Sequence, residues 1–209
     1  MKGFLKSSKK RDIFKKTVCY GLISATEKYD IMSASIALAN YFASAKGYRT
    51  ALVIAEEDSA VLHMLSEKKC VDVEPVGYAD EYLTYYCVSG AGELKRLKDR
   101  SFERLVVETE ASHLDDDLLR EIDALRIFAD LSPWRYQDLR KCYRNTFCSL
   151  GFHNAGEQRL GRNLYTMSMR QHDMERFKKE FGANVIETGY FKDPYRLEKT
   201  DLMQVERIL

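Results

Sequence analysis

The stretch from Thr17 to Ala55 reads TVCYGLI (Thr17–Ile23), SATEKY (Ser24–Tyr29), DIMSASIALANYFASAK (Asp30–Lys46), GYRT (Gly47–Thr50) and ALVIA (Ala51–Ala55). Its first and last segments are short apolar runs of buried-strand length. Between them, Ile31, Ala34, Leu38, Phe42 and Ala45 recur at steps of three or four, the helical period. Met32, Ile36, Ala39 and Ala43 fill neighbouring positions, and a helix apolar nearly all round is one sandwiched inside a domain. Gly47 follows it as the residue best suited to a left-handed C-cap. A strand, a buried helix and a second strand at this spacing make a parallel crossover unit.

The alternation continues outward. Glu81–Ser89 reads as a strand at an edge, broken by Gly90 and Gly92 before a short helix, Glu93–Lys98. Arg104–Glu108 is a buried strand, and Asp115–Leu125 a helix whose acidic first turn complements the helix dipole. Arg126–Leu131 is a strand, and Ser132-Pro133 opens a helix to about Tyr143. Residues 145–162 are polar and show no clear element. Leu164–Met169 is a strand, Asp173–Phe181 a helix closed by Gly182, Asn184–Glu187 a strand and Thr200–Leu209 an amphipathic helix. The expected class is α/β: a three-layer, doubly wound, mainly parallel sheet of about seven strands with helices on both faces.

The 209 residues suit one domain over 17–209, preceded by a basic flexible segment, 1–16. That segment holds seven Lys and Arg against Asp12, a local +6, so residues 17–209 carry −5 within the net +1. A nearly neutral whole excludes a general polyanion binder, and the basic start lacks the interleaved aromatics of a specific nucleic-acid surface. Five cysteines without CxxC spacing point to free thiols in the cytoplasm. No run approaches the ~20 apolar residues that span a bilayer. His63, His113, His153 and His172 are scattered without metal-ligand spacing, so no metal site is expected. Cys148 with His153 reads as structural or surface residues before it reads as a catalytic pair. Tyr78, Tyr82, Tyr85 and Tyr86 suit either an interface or a half-buried sheet edge.

Several segments resemble the MinD/ParA group of P-loop ATPases, which carry a deviant Walker A motif. Leu38-Ala39-Asn40-Tyr41-Phe42-Ala43 is similar to that group's helix end, and Gly47-Tyr48-Arg49-Thr50-Ala51-Leu52-Val53-Ile54 to its following strand. Leu105-Val106-Val107-Glu108 stands where the group has its Walker B strand. Phe181–Glu187 and then Phe191-Lys192-Asp193-Pro194-Tyr195 resemble the last strand and the loop around the nucleotide base. The likeness extends to atypical TadZ/CpaE-type members of pilus-assembly clusters. It implies a P-loop NTPase-like fold, with Asp193 and Pro194 as a vestigial base pocket.

The phosphate loop itself departs from the pattern. After Gly21 there is no glycine until Gly47, although converging loop amides need conformations closed to residues bearing a Cβ. The degenerate region spans Ser24, Thr26, Lys28, Asp30 and Ser33, with Asp30, Ile31 and Met32 aligned on the group's G-K-[ST]. Lys28 and Ser33 read either as remnants of the lysine and hydroxyl or as solvated loop and helix-start residues. Glu108 replaces the Walker B aspartate and Glu110 the following glycine. With Glu56, Glu57 and Asp58 they form an acidic set at the carboxyl ends of strands, the edge where open α/β sheets bind ligands. That set reads as a crevice for a cation or basic partner, or as solvated acidic loops. The expected function is a non-catalytic interaction or scaffold module with a protein partner or homodimer, and no cofactor beyond weak ATP/Mg. By resemblance it would act in assembly or positioning of a bacterial pilus or secretion machine. The alternatives are residual ATP binding around Lys28 and Ser33, and an unrelated enzyme using the acidic set.

Overall fold

The computed structural model describes residues 16–26, 29–55, 69–142, 160–167 and 171–209. Among them, nine strands form one sheet: β1 (Val18–Ser24), β2 (Thr50–Ile54), β3 (Lys69–Val73), β4 (Val76–Ala79), β5 (Thr84–Cys87), β6 (Arg104–Glu110), β7 (Ala124–Phe128), β8 (Leu160–Thr166) and β9 (Asn184–Glu187). Their spatial order is β3-β4-β5-β2-β6-β1-β7-β8-β9. The seven strands from β5 to β9 in this order run parallel, and the hairpin β3–β4 joins antiparallel at one margin. β1 is central, with Leu22 level with Glu108 of β6 and Arg126 of β7.

Helices cover both faces. On one face lie α1 (Met32–Asn40), its π-helical continuation Tyr41–Ala45, and α6 (Lys199–Ile208). They pack with Leu22, Leu52, Val106, Phe128 and Tyr165 into one core. The other face carries α2 (Ala91–Lys98), α3 (Asp116–Glu121), α4 (Tyr136–Cys142) and α5 (Gln171–Phe181). There Leu97, Leu118, Leu139 and Phe177 close over Ile23, Val53, Val107 and Ile127. The alternation of core assignment along β1, β2 and β6 is the period-two pattern of a sheet buried on both faces. All seven residues from Ala34 to Asn40 are buried, as the all-round apolar pattern of α1 requires. Gly47 takes φ +69° just beyond the π turn, the left-handed conformation anticipated for it.

Several boundaries differ from the sequence expectation, each for a local reason. The expected strand Glu81–Ser89 shortens to β5, because Asp80 Oδ1 accepts the N–H groups of both Tyr82 and Leu83 and folds 80–83 into a turn. The expected helix Asp115–Leu125 ends at Glu121, and β7 starts at Ala124 instead of Arg126. Asp123 holds the chain there, its carboxylate accepting the Cys19 N–H and its own N–H reaching Cys19 O. The helix expected from Ser132 begins at Tyr136, after a turn closed from Arg135 N to Ser132 O. β8 begins at Leu160, inside a stretch that showed no element, and ends at Thr166. No helix among the described residues is long and apolar enough to cross a membrane.

Candidate functional site

The carboxyl edge of the sheet is built around the connection from β1 to α1. Ser24 ends β1 beside Glu110 of β6 and Phe128 of β7. Its Oγ donates to Thr26 O at 2.7 Å, and both residues are buried. Thr26 Oγ1 accepts the Asp130 N–H at 3.2 Å, tying the connection to the end of β7. Tyr29 reaches further: its hydroxyl accepts the Met167 N–H at 2.8 Å and lies 3.4 Å from Thr166 Oγ1, at the end of β8. Burial pushes the Tyr29 phenol above its ordinary pKa, so it stays protonated.

Three backbone amides of this connection point to acceptors within the protein. Ala25 N–H donates to Phe128 O at 2.7 Å and Tyr29 N–H to Thr26 O at 3.1 Å. Met32 N–H, at the start of α1, donates to the Asp30 carboxylate at 2.9 Å. A carboxylate thus occupies a donor at a helix N-terminus, the kind of group that would otherwise attract an external anion. Ile31, aligned on the lysine position, is 1% exposed and belongs to the core under α1.

Glu108 and Glu110 lie two apart on β6 and share a face. Val106, two residues earlier, belongs to the α1-side core, so both carboxylates project toward α1's face of the sheet. Glu110 accepts from Ser112 Oγ at 3.4 Å. Asp30 and Asp130 follow β1 and β7 in the chain, after the carboxyl ends of those strands. No three His, Cys, Asp or Glu among the described residues are arranged to hold a metal.

The sequence-derived candidates separate in space. Ser24, Thr26, Asp30 and Ser33 share one connection, and Ser33 Oγ turns to Met167 Sδ at 3.8 Å. Glu108 and Glu110 join them at the same edge. Lys28, Glu56, Glu57 and Asp58 lie outside the described residues, as do Cys148 and His153. Asp193 and Pro194 lie in the segment between β9 and α6. Asn40, at the far end of α1, donates to Pro194 O and Tyr195 O, nine residues beyond Ile31 and therefore ~13 Å along the helix. Of the tyrosine group, Tyr85 and Tyr86 are buried on opposite faces, and Tyr78 and Tyr82 are half-buried. Trp134 is 72% exposed in the β7–α4 connection. Tyr29, Asp130, Thr166 and Met167 were not singled out from the sequence. The one signal was Tyr29 itself, a lone aromatic in a polar loop.

This architecture is a P-loop NTPase-like fold, shared with solved structures of low sequence identity. The chain resembles a plasmid partition protein of Borrelia burgdorferi bound to AMPPNP, with TM-score 0.62, 14% identity, and coverage of 93% of this chain and 97% of that one. It also resembles a nucleotide-binding protein of Archaeoglobus fulgidus in complex with ADP, with TM-score 0.51, 12% identity, and coverage of 92% and 89%. The MinD cell division protein of Aquifex aeolicus superposes at TM-score 0.48 and 12% identity over 90% and 86%, too loosely to argue from. At these identities the likeness defines the fold alone. The sequence matches no protein-family model and no curated protein at a significant level.

Proposed function

We propose that this chain is a pseudo-ATPase on the MinD/ParA-like fold, working as an interaction or scaffold module for a protein partner or a second copy of itself. The observation that carries this reading is the use of the Ala25, Tyr29 and Met32 amides by Phe128 O, Thr26 O and Asp30. Phosphoryl transfer on this fold depends on loop amides, a lysine and a Mg²⁺-binding hydroxyl acting together on the phosphates. Here the described amides face the protein's own acceptors, the aligned lysine position is core, and Asp30, Glu108 and Glu110 add negative charge to the edge that follows β1 and β6. These residues do not fit a triphosphate.

A second reading, ATP binding without efficient turnover, is favoured by the AMPPNP and ADP held by two proteins of the same fold. Thermal unfolding with and without Mg-ATP separates the two. A ligand at 100-fold excess over its Kd adds ~2.7 kcal/mol of stability, a shift of several degrees. The pseudo-ATPase reading expects no such shift. One that disappears in Lys28→Ala would favour the second.

We place the protein in the cytoplasm, since Cys19, Cys70, Cys87 and Cys142 are free thiols. Residues 17–209 act as one domain in this reading, and 1–16 as a basic extension. The resemblance to TadZ/CpaE-type members supports a role in positioning a pilus or secretion machine.

A further inference from the structure

β3 stands at the margin of the sheet, and no described strand pairs with its outer side. Three of the seven exposed large hydrophobic residues among those described fall on its hairpin: Val71 at 42%, Val73 at 85% and Val76 at 40%. Val73 and Val76 face each other beside the turn, and the register slip between Cys70 and Asp72 leaves Val71 out of the pairing with β4. Charge and proline are devices that blunt an edge strand. Here Asp72, the acidic residue within β3, is drawn to Arg100 and the Tyr86 hydroxyl, and Pro75 lies beyond the strand in the turn. The slip adds local twist but covers none of the valines.

The two ends of this edge carry opposite charge. Lys69 opens β3 and is exposed. Glu74, just past its end, meets Arg96 at 2.7 Å while its side chain stays 72% exposed. An antiparallel copy of the strand therefore brings basic end to acidic end on both sides, whereas a parallel copy would set like charge against like.

We propose that β3 is the surface on which a second copy of this chain pairs, edge to edge and antiparallel about a two-fold axis at Val71, so that two sheets join into one. The inference rests on the reading of the chain as an interaction module and names its partner. In this arrangement Val71 lies opposite its own copy, and Lys69 opposite the second copy's Val73, next to its Glu74. The outer backbone groups of β3 gain strand partners, and the exposed valines of both copies come together across the axis. Such a two-fold contact uses one patch on both sides and closes on itself. Five strand residues a side make a small interface, so the pairing is weak and depends on concentration.

Sedimentation equilibrium on the full chain, from about 1 to about 100 µM, tests it, the average mass rising from one chain toward two. Val73→Lys sets a lysine opposite the second copy's Lys69, twice per dimer, and should weaken the association about tenfold or more. Since Val73 is largely in solvent, this variant should keep the wild-type urea midpoint. The two copies of Cys70 would stand diagonally across the axis, ~7–8 Å apart, so a short bis-maleimide should link the wild-type dimer and leave Cys70→Ser unlinked. A chain that stays monomeric at the highest concentration would overturn the pairing. So would a dimer unchanged by Val73→Lys, or one whose crosslink survives Cys70→Ser, because the contact would then lie on another face. ATP turnover by the linked dimer would instead overturn the pseudo-ATPase reading and leave the pairing intact.

Discussion

Asn40 donates its side-chain amide to two consecutive carbonyls, Pro194 O at 3.1 Å and Tyr195 O at 2.8 Å, while its own oxygen accepts from Ser44 Oγ at 2.6 Å. One buried side chain at the end of α1 therefore fixes the segment leading into α6. Asn40→Ala leaves both carbonyls without that donor and should cost about 2 kcal/mol or more in urea unfolding. A loss below about 0.5 kcal/mol would show that water replaces the amide.

Gly21 lies at the centre of β1, where a Cβ would stand 2.7 Å from Ile122 Cδ1 and 3.0 Å from its Cγ2. Gly21→Ala should destabilise by roughly 1–3 kcal/mol through overpacking. Adding Ile122→Val, which removes the nearest atom, should recover part of that loss in a double-mutant cycle.

Much of the fold is legible in the sequence because it rests on local pattern. The Thr17–Ala55 unit and Asn184–Glu187 were read from apolar runs, and their strands pair in the expected sheet. The hairpin β3–β4 was not. Its strands are short, the register slips between Cys70 and Asp72, and Val71, Val73 and Val76 stay exposed, so no alternation with a buried face marks them. For the site, the family resemblance and the carboxyl end of a strand single out Glu108 and Glu110, and the altered phosphate-loop stretch groups Ser24, Thr26, Asp30 and Ser33. The bonds from Thr26 to Asp130 and from Tyr29 to Met167 join residues more than a hundred positions apart, beyond any local signal. The bonds from Asn40 to Pro194 O and Tyr195 O span a like separation along the chain.

Asp72 carries a predictable acid dependence. The Tyr86 hydroxyl at 2.6 Å and the Arg100 guanidinium hold its carboxyl below the ordinary range. A depressed folded pKa stabilises above the unfolded value of ~3.9 and is lost as pH falls through the lower folded value. Asp72→Asn should therefore flatten the fall in urea midpoint below about pH 4, modestly, because solvent screens a side chain 34% exposed. An unchanged acid limb would deny the pair a role.

The thiols should differ sharply in reactivity. Burial pushes Cys19 up to about 12 and Cys87 up to about 11, whereas Cys70 is exposed on β3. An aromatic disulfide reagent at about pH 8 should label Cys70 in the folded protein and reach Cys19 and Cys87 only on unfolding. Rapid native labelling of Cys19 would contradict the core around the start of β1.

The proposed pseudo-ATPase has no working phosphate site. Phosphate release from Mg-ATP by the purified chain tests it most directly, with Lys28→Ala measured beside wild type. No magnesium-dependent release above the protein-free control is expected in either. Magnesium-dependent turnover by wild type that is lost in Lys28→Ala would contradict it.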